Sequence, residues 1–184
     1  MKNLEDIKKS LSEDRPASWS ALPDIDLYMD QVLGYMRRQL ISSRSEAGVT
    51  AAMINNYIRD GILPRTNGKK YSKNHIAKLT SICAMKQILS VGDISLLFQL
   101  LPSDDMEDLY GKYREMLNHE LTIVAKSIPE SGDNQTLVDA ITHFTIIGYA
   151  NKIAAECLMD MLKEQTDEDK TKSKEKNKKE TPAT

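Results

Sequence analysis

Residues 48–72 read GVTAAMINNYIRDGILPRTNGKKYS. This stretch predicts a helix that begins at Thr50, whose hydroxyl can accept the amide hydrogen bond of Met53, and ends at Gly61, the residue type that most often stops a helix. At 100° per residue, the apolar side chains of this helix share one side, and small, amide and cationic side chains share the other. The polar side comprises Ala52, Asn55, Asn56 and Arg59.

Two adjacent asparagines are unusual in the middle of a helix, because each costs roughly half a kcal/mol relative to alanine. Asparagine can bond adenine through both the N–H and the carbonyl of its side-chain amide, and arginine can bond guanine through two N–H groups. Both side chains also bind phosphates. The pattern therefore predicts that this side of the helix contacts nucleic acid. An ordinary solvated helix face is the alternative interpretation.

The segment that follows the helix is basic and predicted to be a loop. Thr66-Asn67-Gly68 favours a hairpin-type turn, and residues 50–78 contain six cations against one anion in a chain of net charge -2 and pI about 6.0. A local excess of positive charge on an acidic protein favours one docking orientation on a polyanion. We expect residues 64–71 to form a wing beside the helix. The predicted DNA contacts are Thr50, Ala52, Asn55, Asn56, Arg59, Arg65, Lys69, Lys70 and Tyr71.

Two alternatives apply to this wing. The basic loop is also compatible with a simple hydrophilic hairpin, and Tyr71 with an aromatic residue at the edge of the core. In the DNA-binding interpretation the loop cations neutralise phosphates, and each neutralised phosphate steepens the salt dependence of binding by about 0.9.

The rest of the chain predicts an all-α protein. Helical periodicity begins near Pro23, with Ile25 and Val32 facing inward, and further helices follow Ser72 and Ser90. Ser90 and Asp93 have the spacing of a capping box. The predicted divisions are a weakly ordered segment 1–20, a DNA-binding head 21–102, a long helical hairpin 103–163 opened by Ser103, and a disordered charged tail 164–184.

The predicted hairpin has apolar stripes wider than two helices of one chain need. Its helices of about 26 and 29 residues would each reach roughly 40 Å, more than a small head can cover. We expect a homodimer, since helix-turn-helix proteins generally act as two-fold pairs; packing on the head alone is the alternative. The predicted dimerisation residues are Tyr113, Leu117, Leu121, Ile141, Phe144 and Leu158.

Several classes of protein are disfavoured by what the sequence lacks. Cys83 and Cys157 match no metal-ligand spacing and are expected to be reduced and buried, and the three histidines are scattered. No nucleophile motif, phosphate-binding glycine loop or paired catalytic carboxylates are present. No apolar run approaches the roughly 20 residues of a membrane span, and the charged start is not a signal peptide. We expect a cytoplasmic protein that is not an enzyme, binds no metal or cofactor and does not enter a membrane.

Three motifs, in their order and spacing, carry a family resemblance: DLYMDQV (26–32), MINNY (53–57) and KKYSKNHIAKL (69–79). Together they are similar to a bacterial family known as a domain of unknown function and regarded as a MerR-like helix-turn-helix group. GVTAAMINNYIRDGIL likewise resembles the start of a MerR-type winged helix. The resemblance covers roughly residues 20–102 and implies a winged helix-turn-helix head; the effector pocket of MerR proteins does not carry over.

The leading hypothesis from the sequence is a homodimeric transcriptional regulator that binds double-stranded DNA sequence-specifically. A protein-interaction adaptor, built on the same winged-helix scaffold with the apolar hairpin as its binding surface, is the alternative. A small-molecule effector would be compatible with the first hypothesis, and the sequence does not identify one.

Overall fold

The computed structural model describes residues 3–39, 48–101 and 105–179, with side chains as far as residue 168. These residues form seven α-helices, one short 3-10 helix and a two-stranded sheet, which confirms the all-α class. In chain order the elements are α1 (Leu4–Glu13), the 3-10 helix (Trp19–Ala21), β1 (Leu27–Tyr28), α2 (Met29–Gln39), α3 (Ala51–Arg59), β2 (Lys70–Tyr71), α4 (Lys73–Met85), α5 (Val91–Leu100), α6 (Met106–Ser127) and α7 (Asn134–Lys179). The chain divides into two units, residues 1–140 and 141–184.

Helix α4 is the centre of the first unit. Its sequence KNHIAKLTSICAM has apolar or small residues on more than one side, so the helix is suited to burial all round, and eight of its 13 residues are buried. Side chains from β1, β2, α2, α3, α5 and α6 join it in one apolar cluster. Helix α5 begins as predicted, with Ser90 and Asp93 forming a complete capping box.

A short antiparallel sheet replaces the predicted start of the first long helix. Leu27 pairs with Tyr71 and Tyr28 with Lys70, so the expectation of helix from Pro23 is wrong and α2 begins at Met29. Ile25, expected to face inward, is 72% exposed. Periodicity misplaced this start because a strand paired with residues more than 40 positions away leaves no local signal.

Residues 3–20 contain helix α1 and the start of the 3-10 helix, which corrects the prediction of a weakly ordered segment for the described part of residues 1–20. Helix α1 opens with a capping box in which the Asn3 N–H donates to Asp6 Oδ2 (3.0 Å) and the Asp6 N–H donates to Asn3 Oδ1 (2.7 Å). The helix then packs along α6, and Lys8 pairs with Glu130 at 2.6 Å. A ten-residue helix is marginal alone, so tertiary packing is what stabilises this one.

Residues 15–17, which we term the clasp, connect α6 to the head. Pro16 is fully buried. The Ala17 N–H donates to Gln39 Oε1 of α2 (3.0 Å), and the Ala17 carbonyl accepts from the Tyr110 hydroxyl of α6 (2.9 Å). Arg114 Nε donates to the Pro16 carbonyl (3.0 Å). The clasp thus joins Gln39 of α2 to Tyr110 of α6, two residues that are 71 positions apart in sequence.

The position of α6 changes the predicted division of the chain. The expected boundary at residues 102–103, including Ser103 as the helix start, lies outside the described residues, and α6 begins after the cap Asp105. Helix α6 packs on α4, and Tyr113 packs against the core of the head. Part of the Tyr113 surface is therefore used within the chain, and its role in a dimer interface stays a prediction. Leu117 and Leu121 are half-buried.

Helix α7 is longer than predicted. Asp133 caps its start by accepting the Thr136 N–H (2.9 Å), and the helix continues to Lys179. The expectation of a disordered tail is wrong for residues 164–179, and residues 180–184 lie outside the described part of the chain. Lysine, glutamate and glutamine are good helix formers, and extending an existing helix is far easier than nucleating one.

Among the described residues, no helix combines the length and the hydropathy needed to cross a bilayer.

Candidate nucleic-acid interface

Helix α3 separates apolar from polar side chains in the way the sequence predicts. Ile54 is fully buried and Tyr57 is 4% exposed, while Met53 and Ile58 are partly buried against the core. All the residues of the polar side are exposed: Ala52, Asn55, Asn56 and Arg59. Within an arc of about 100°, this side of α3 offers two amides and a guanidinium around one small residue.

Both ends of α3 are fixed by local hydrogen bonds. Thr50 Oγ1 accepts the Met53 N–H (3.2 Å), as the sequence predicts. At the other end Gly61 adopts φ +74°, and the Ile62 N–H donates to the Tyr57 carbonyl (2.9 Å). Positive φ is accessible to glycine without steric cost. This turn sends Ile62 into the core and starts the basic loop directly after the exposed end of α3.

Packing against α4 holds the polar face in place. Nζ of Lys86, the residue that follows α4, lies 4.0 Å from Met53 Sδ. Burial raises the pKa of Tyr57, and the nearby Cys83 thiol of α4 adds to the effect. A helix anchored by its apolar side has little freedom to rotate. The amides of Asn55 and Asn56 therefore have a defined direction relative to the core.

Arg59 is positioned by the residue next to it. Its Nε donates to Asp60 Oδ1 at 2.9 Å, and its side chain remains 70% exposed. An exposed ion pair of this kind contributes little to stability. Its effect is on geometry, since it restricts a long side chain while leaving donors of the guanidinium available to a ligand.

The loop that follows turns at Gly68. This residue has φ +66°, and no non-glycine residue in the described part of the chain has positive φ. The Lys70 N–H closes the turn on the Asn67 carbonyl (3.4 Å), and the Thr66 hydroxyl donates to the Gly68 carbonyl (3.0 Å). The predicted turn is confirmed, with glycine rather than asparagine in the left-handed region. Beyond it β2 pairs with β1.

Three loop cations are exposed: Arg65, Lys69 and Lys70. Arg65 is six residues from Arg59, so the two lie within about 20 Å of each other even in an extended chain. Lys70 Nζ lies 5.3 Å from the centre of the Tyr28 ring, a cation–π contact that orients the ammonium without neutralising it. With Arg59, these side chains make four exposed cations at the end of α3 and in the loop after it.

Two other cations counted in the sequence are engaged elsewhere. Lys73 Nζ pairs with Asp24 (2.7 Å) and lies 5.1 Å from the Trp19 ring centre. Lys78 Nζ lies 4.5 Å from the ring centre of Phe98. Both lysines are partly buried. The basic surface is therefore narrower than the local charge in the sequence indicates.

Tyr71 is a core residue, so its assignment as a DNA contact is corrected. It is 5% exposed, lies opposite Leu27 in the sheet and meets the His75 ring edge-on at 5.7 Å. Burial raises the pKa of its phenol. The alternative interpretation, an aromatic at the edge of the core, describes this residue.

His75 joins the basic loop to α4, a role that the sequence analysis does not predict. The His75 side chain is buried, with 6% of the residue exposed. Its Nε2 lies 3.2 Å from the Pro64 carbonyl, and its Nδ1 lies 3.1 Å from the Ser72 amide nitrogen and 2.8 Å from the Ser72 hydroxyl. A histidine three residues after a serine cap was the available signal.

The apolar surface expected to mediate dimerisation is present on α7. Ile141 and Leu158 are 65% and 66% exposed, and Phe144 is half-buried. Eight large apolar side chains of this helix are at least 41% exposed: Val138, Ile141, Ile146, Ile147, Tyr149, Ile153, Leu158 and Met161. Cys83 is buried as predicted, whereas Cys157 is exposed. Within the described residues, no three His, Cys, Asp or Glu side chains are grouped to hold a metal ion.

Comparison with known proteins identifies a family. The profile of a family described as DUF1836, a domain of unknown function, matches residues 17–117, which is more than half of the chain. The matched range contains α3, the basic loop and most of the core of the first unit. No curated protein and no solved structure matches the chain.

Proposed function

The chain belongs to the DUF1836 family, and we propose that it is a sequence-specific regulator of transcription that binds double-stranded DNA as a homodimer. The single observation that carries the proposal is the exposed amide and guanidinium face of α3, anchored by Ile54 and Tyr57 and followed directly by a cationic loop. In this proposal the first unit is a MerR-like winged helix-turn-helix head, with α2 and α3 as the two helices of the motif.

The dimensions of α3 suit the major groove. Nine residues make a helix of about 13 Å at 1.5 Å per residue, comparable to the groove width of about 12 Å. Ala52 allows close approach of the helix to the base edges. Asn55, Asn56 and Arg59 then have the donors and acceptors to read bases, while the cations of the loop neutralise flanking phosphates.

Dimerisation supplies the second half of the proposal. The exposed apolar residues of α7 are too many for a free helix in water, where patches larger than a few hundred Å² mark interaction sites. A second copy of this helix would cover those that face it with an identical surface, as two-fold assembly requires. A dimer presents two copies of α3 to one duplex, which doubles the contacts available to a site with two half-sites.

A protein-interaction adaptor is the second candidate. It is favoured by the same exposed residues of α7, which could bind a different protein in place of a second copy. An adaptor has no need for the amide face of α3 or for an exposed cationic loop. Retention of duplex DNA at low salt therefore separates the two functions.

The test selects bound fragments from a random duplex pool with the full chain and then titrates the selected duplex over a salt series. We expect log K to fall linearly with log salt, and the double variant Arg65→Ala/Lys69→Ala to have a shallower slope by about 1.8 per head, because each neutralised phosphate contributes about 0.9.

The control is Lys112→Ala, which removes an exposed positive charge from α6. It should leave the slope unchanged. A chain that retains no fragment even at low salt, or loop and control variants with the same slope, would count against DNA binding through this surface and favour the adaptor.

A further inference from the structure

We infer that His75 is the positioning residue of the basic loop: it fixes residues 64–70 on α4 so that their cations are held in place before a ligand arrives. The inference rests on the proposed function, because the ligand of the loop is taken to be DNA. The contacts of His75 themselves are present without any ligand. The buried imidazole bridges Pro64 at the start of the loop and Ser72 at its end.

The bonding of the ring selects one tautomer. A backbone carbonyl only accepts and an amide N–H only donates. The imidazole therefore carries its proton on Nε2, which donates to the Pro64 carbonyl, while Nδ1 accepts from the Ser72 N–H. One neutral side chain thus satisfies one backbone group at each end of the loop. A charged imidazole would carry a second proton on Nδ1 and could no longer accept the Ser72 bond.

The surroundings of the ring favour the neutral form. Burial lowers the pKa of His75 below its usual value; the nearby Lys78 acts in the same direction, while the Pro64 and Arg65 backbone and the Asp26 carboxylate oppose it. The Tyr71 ring meets it edge-on. At neutral pH the tautomer that ties down the loop is therefore the state of the folded protein.

Between the two anchored ends, the backbone is also held by the turn at Gly68 and by the pairing of Lys70 with Tyr28 in the sheet. Arg65 and Lys69 are exposed and lie outside the sheet. A loop that is not anchored has to be ordered when it binds, and such ordering subtracts from affinity. The imidazole removes that cost in advance for Arg65 and Lys69.

Two substitutions separate the bond from His75 to Pro64, which anchors the loop, from the bond to Ser72, which caps α4. In His75→Asn the carbonyl of the amide can still accept the Ser72 N–H, as the Asp93 carboxylate accepts the Ser90 N–H (3.2 Å) in the cap of α5, but the side chain is too short to reach the Pro64 carbonyl. In His75→Ala both bonds are lost. If the bond to Pro64 positions the loop, the two variants have similar amide exchange in the loop and different amide exchange in the first turn of α4.

The first measurement uses the full chain without DNA. Amide hydrogen exchange and trypsin cleavage at Arg65, Lys69 and Lys70 report loop order directly. We expect both variants to accelerate exchange and cleavage at residues 64–70, and only His75→Ala to accelerate exchange in the first turn of α4. Unchanged exchange and cleavage of the loop in His75→Asn overturns the inference, whether or not the protein binds DNA.

The second measurement is a double-mutant cycle on the selected duplex. We expect His75→Asn to weaken binding by about 3- to 10-fold, the range of one hydrogen bond, and to have no effect in the Arg65→Ala/Lys69→Ala background, because the two cations that depend on the bond to Pro64 are then absent. An equal loss in both backgrounds overturns a role through the loop. If the wild-type chain binds no DNA, the proposed function fails while the exchange and cleavage results still decide the role of His75.

Discussion

Tyr110→Ala is expected to reduce the free energy of unfolding by about 3–5 kcal/mol, the range for removing a fully buried aromatic side chain. Tyr110 is completely buried, and its ring lies 6.3 Å from that of Trp19 and 6.0 Å from that of Tyr113, centroid to centroid. The substitution would leave a cavity where α6 meets the head and would also remove the hydroxyl that bonds the clasp.

The matched control is Tyr110→Phe, which keeps the ring and removes only the hydrogen bond to the Ala17 carbonyl. It should cost about 0.5–1.5 kcal/mol, the usual net contribution of one hydrogen bond, because the bond to Ala17 is only partly buried. Urea titration of the three proteins measures both values. If Tyr110→Ala is no less stable than Tyr110→Phe, the ring does not pack as described and α6 is not part of the head.

The same tyrosine gives stability a dependence on high pH. Burial raises the pKa of Tyr110 from 10.0 to about 12, so the unfolded chain releases the phenolic proton at lower pH than the folded one. Stability falls as pH rises from about 10 to about 12, since the folded state binds more protons in that window. Part of that fall should disappear in Tyr110→Phe.

Ile141→Asp and Leu158→Asp are each expected to raise the dissociation constant of the proposed dimer by about 100-fold or more. A two-fold interface would contain two unpaired carboxylates, one per protomer, and burying each unsatisfied polar group costs at least about 1–3 kcal/mol. Both positions are strongly exposed in the single chain, so neither substitution should unfold it.

Sedimentation equilibrium measures this prediction, with Gln165→Glu as the control because it adds a negative charge to α7 at an exposed polar position. We expect a dimer for the wild type and the control, and a monomer for both aspartate variants. A wild-type chain that is monomeric at all concentrations, or aspartate variants that remain dimeric, would contradict dimerisation through α7.

The features that could be predicted from the sequence are those fixed within a few residues. Thr50 and Ser90 cap helices as expected, and Gly61 ends α3 because it alone tolerates the backbone geometry of that turn. The division of α3 into buried and exposed sides also follows from spacing alone. For this reason the exposed amide and guanidinium face of α3 could be predicted without knowledge of the fold.

The features that were mispredicted depend on contacts between distant residues. Nothing local shows that Leu27 pairs with Tyr71, or that Ala17 joins α2 to α6, so the sheet, the clasp and the position of Tyr113 were missed. Helix α1 is an intermediate case: the Asn3–Asp6 capping box is visible in the sequence, but the packing that stabilises the helix is not. The tail lacks apolar residues, which predicts disorder, but its lysine and glutamate residues favour helix and it continues α7 to Lys179.

The most direct test of DNA recognition by α3 is the affinity of Asn55→Ala and Arg59→Ala for the selected duplex and for a scrambled duplex at one salt concentration, with Gln165→Ala as the control for loss of an exposed amide. Each substitution is predicted to weaken binding to the selected duplex by about 5- to 150-fold, the equivalent of about 1–3 kcal/mol for a bond to a base, with little change on the scrambled duplex. Equal losses on both duplexes, or undiminished affinity for the selected one, would contradict the claim that this face of α3 reads DNA sequence.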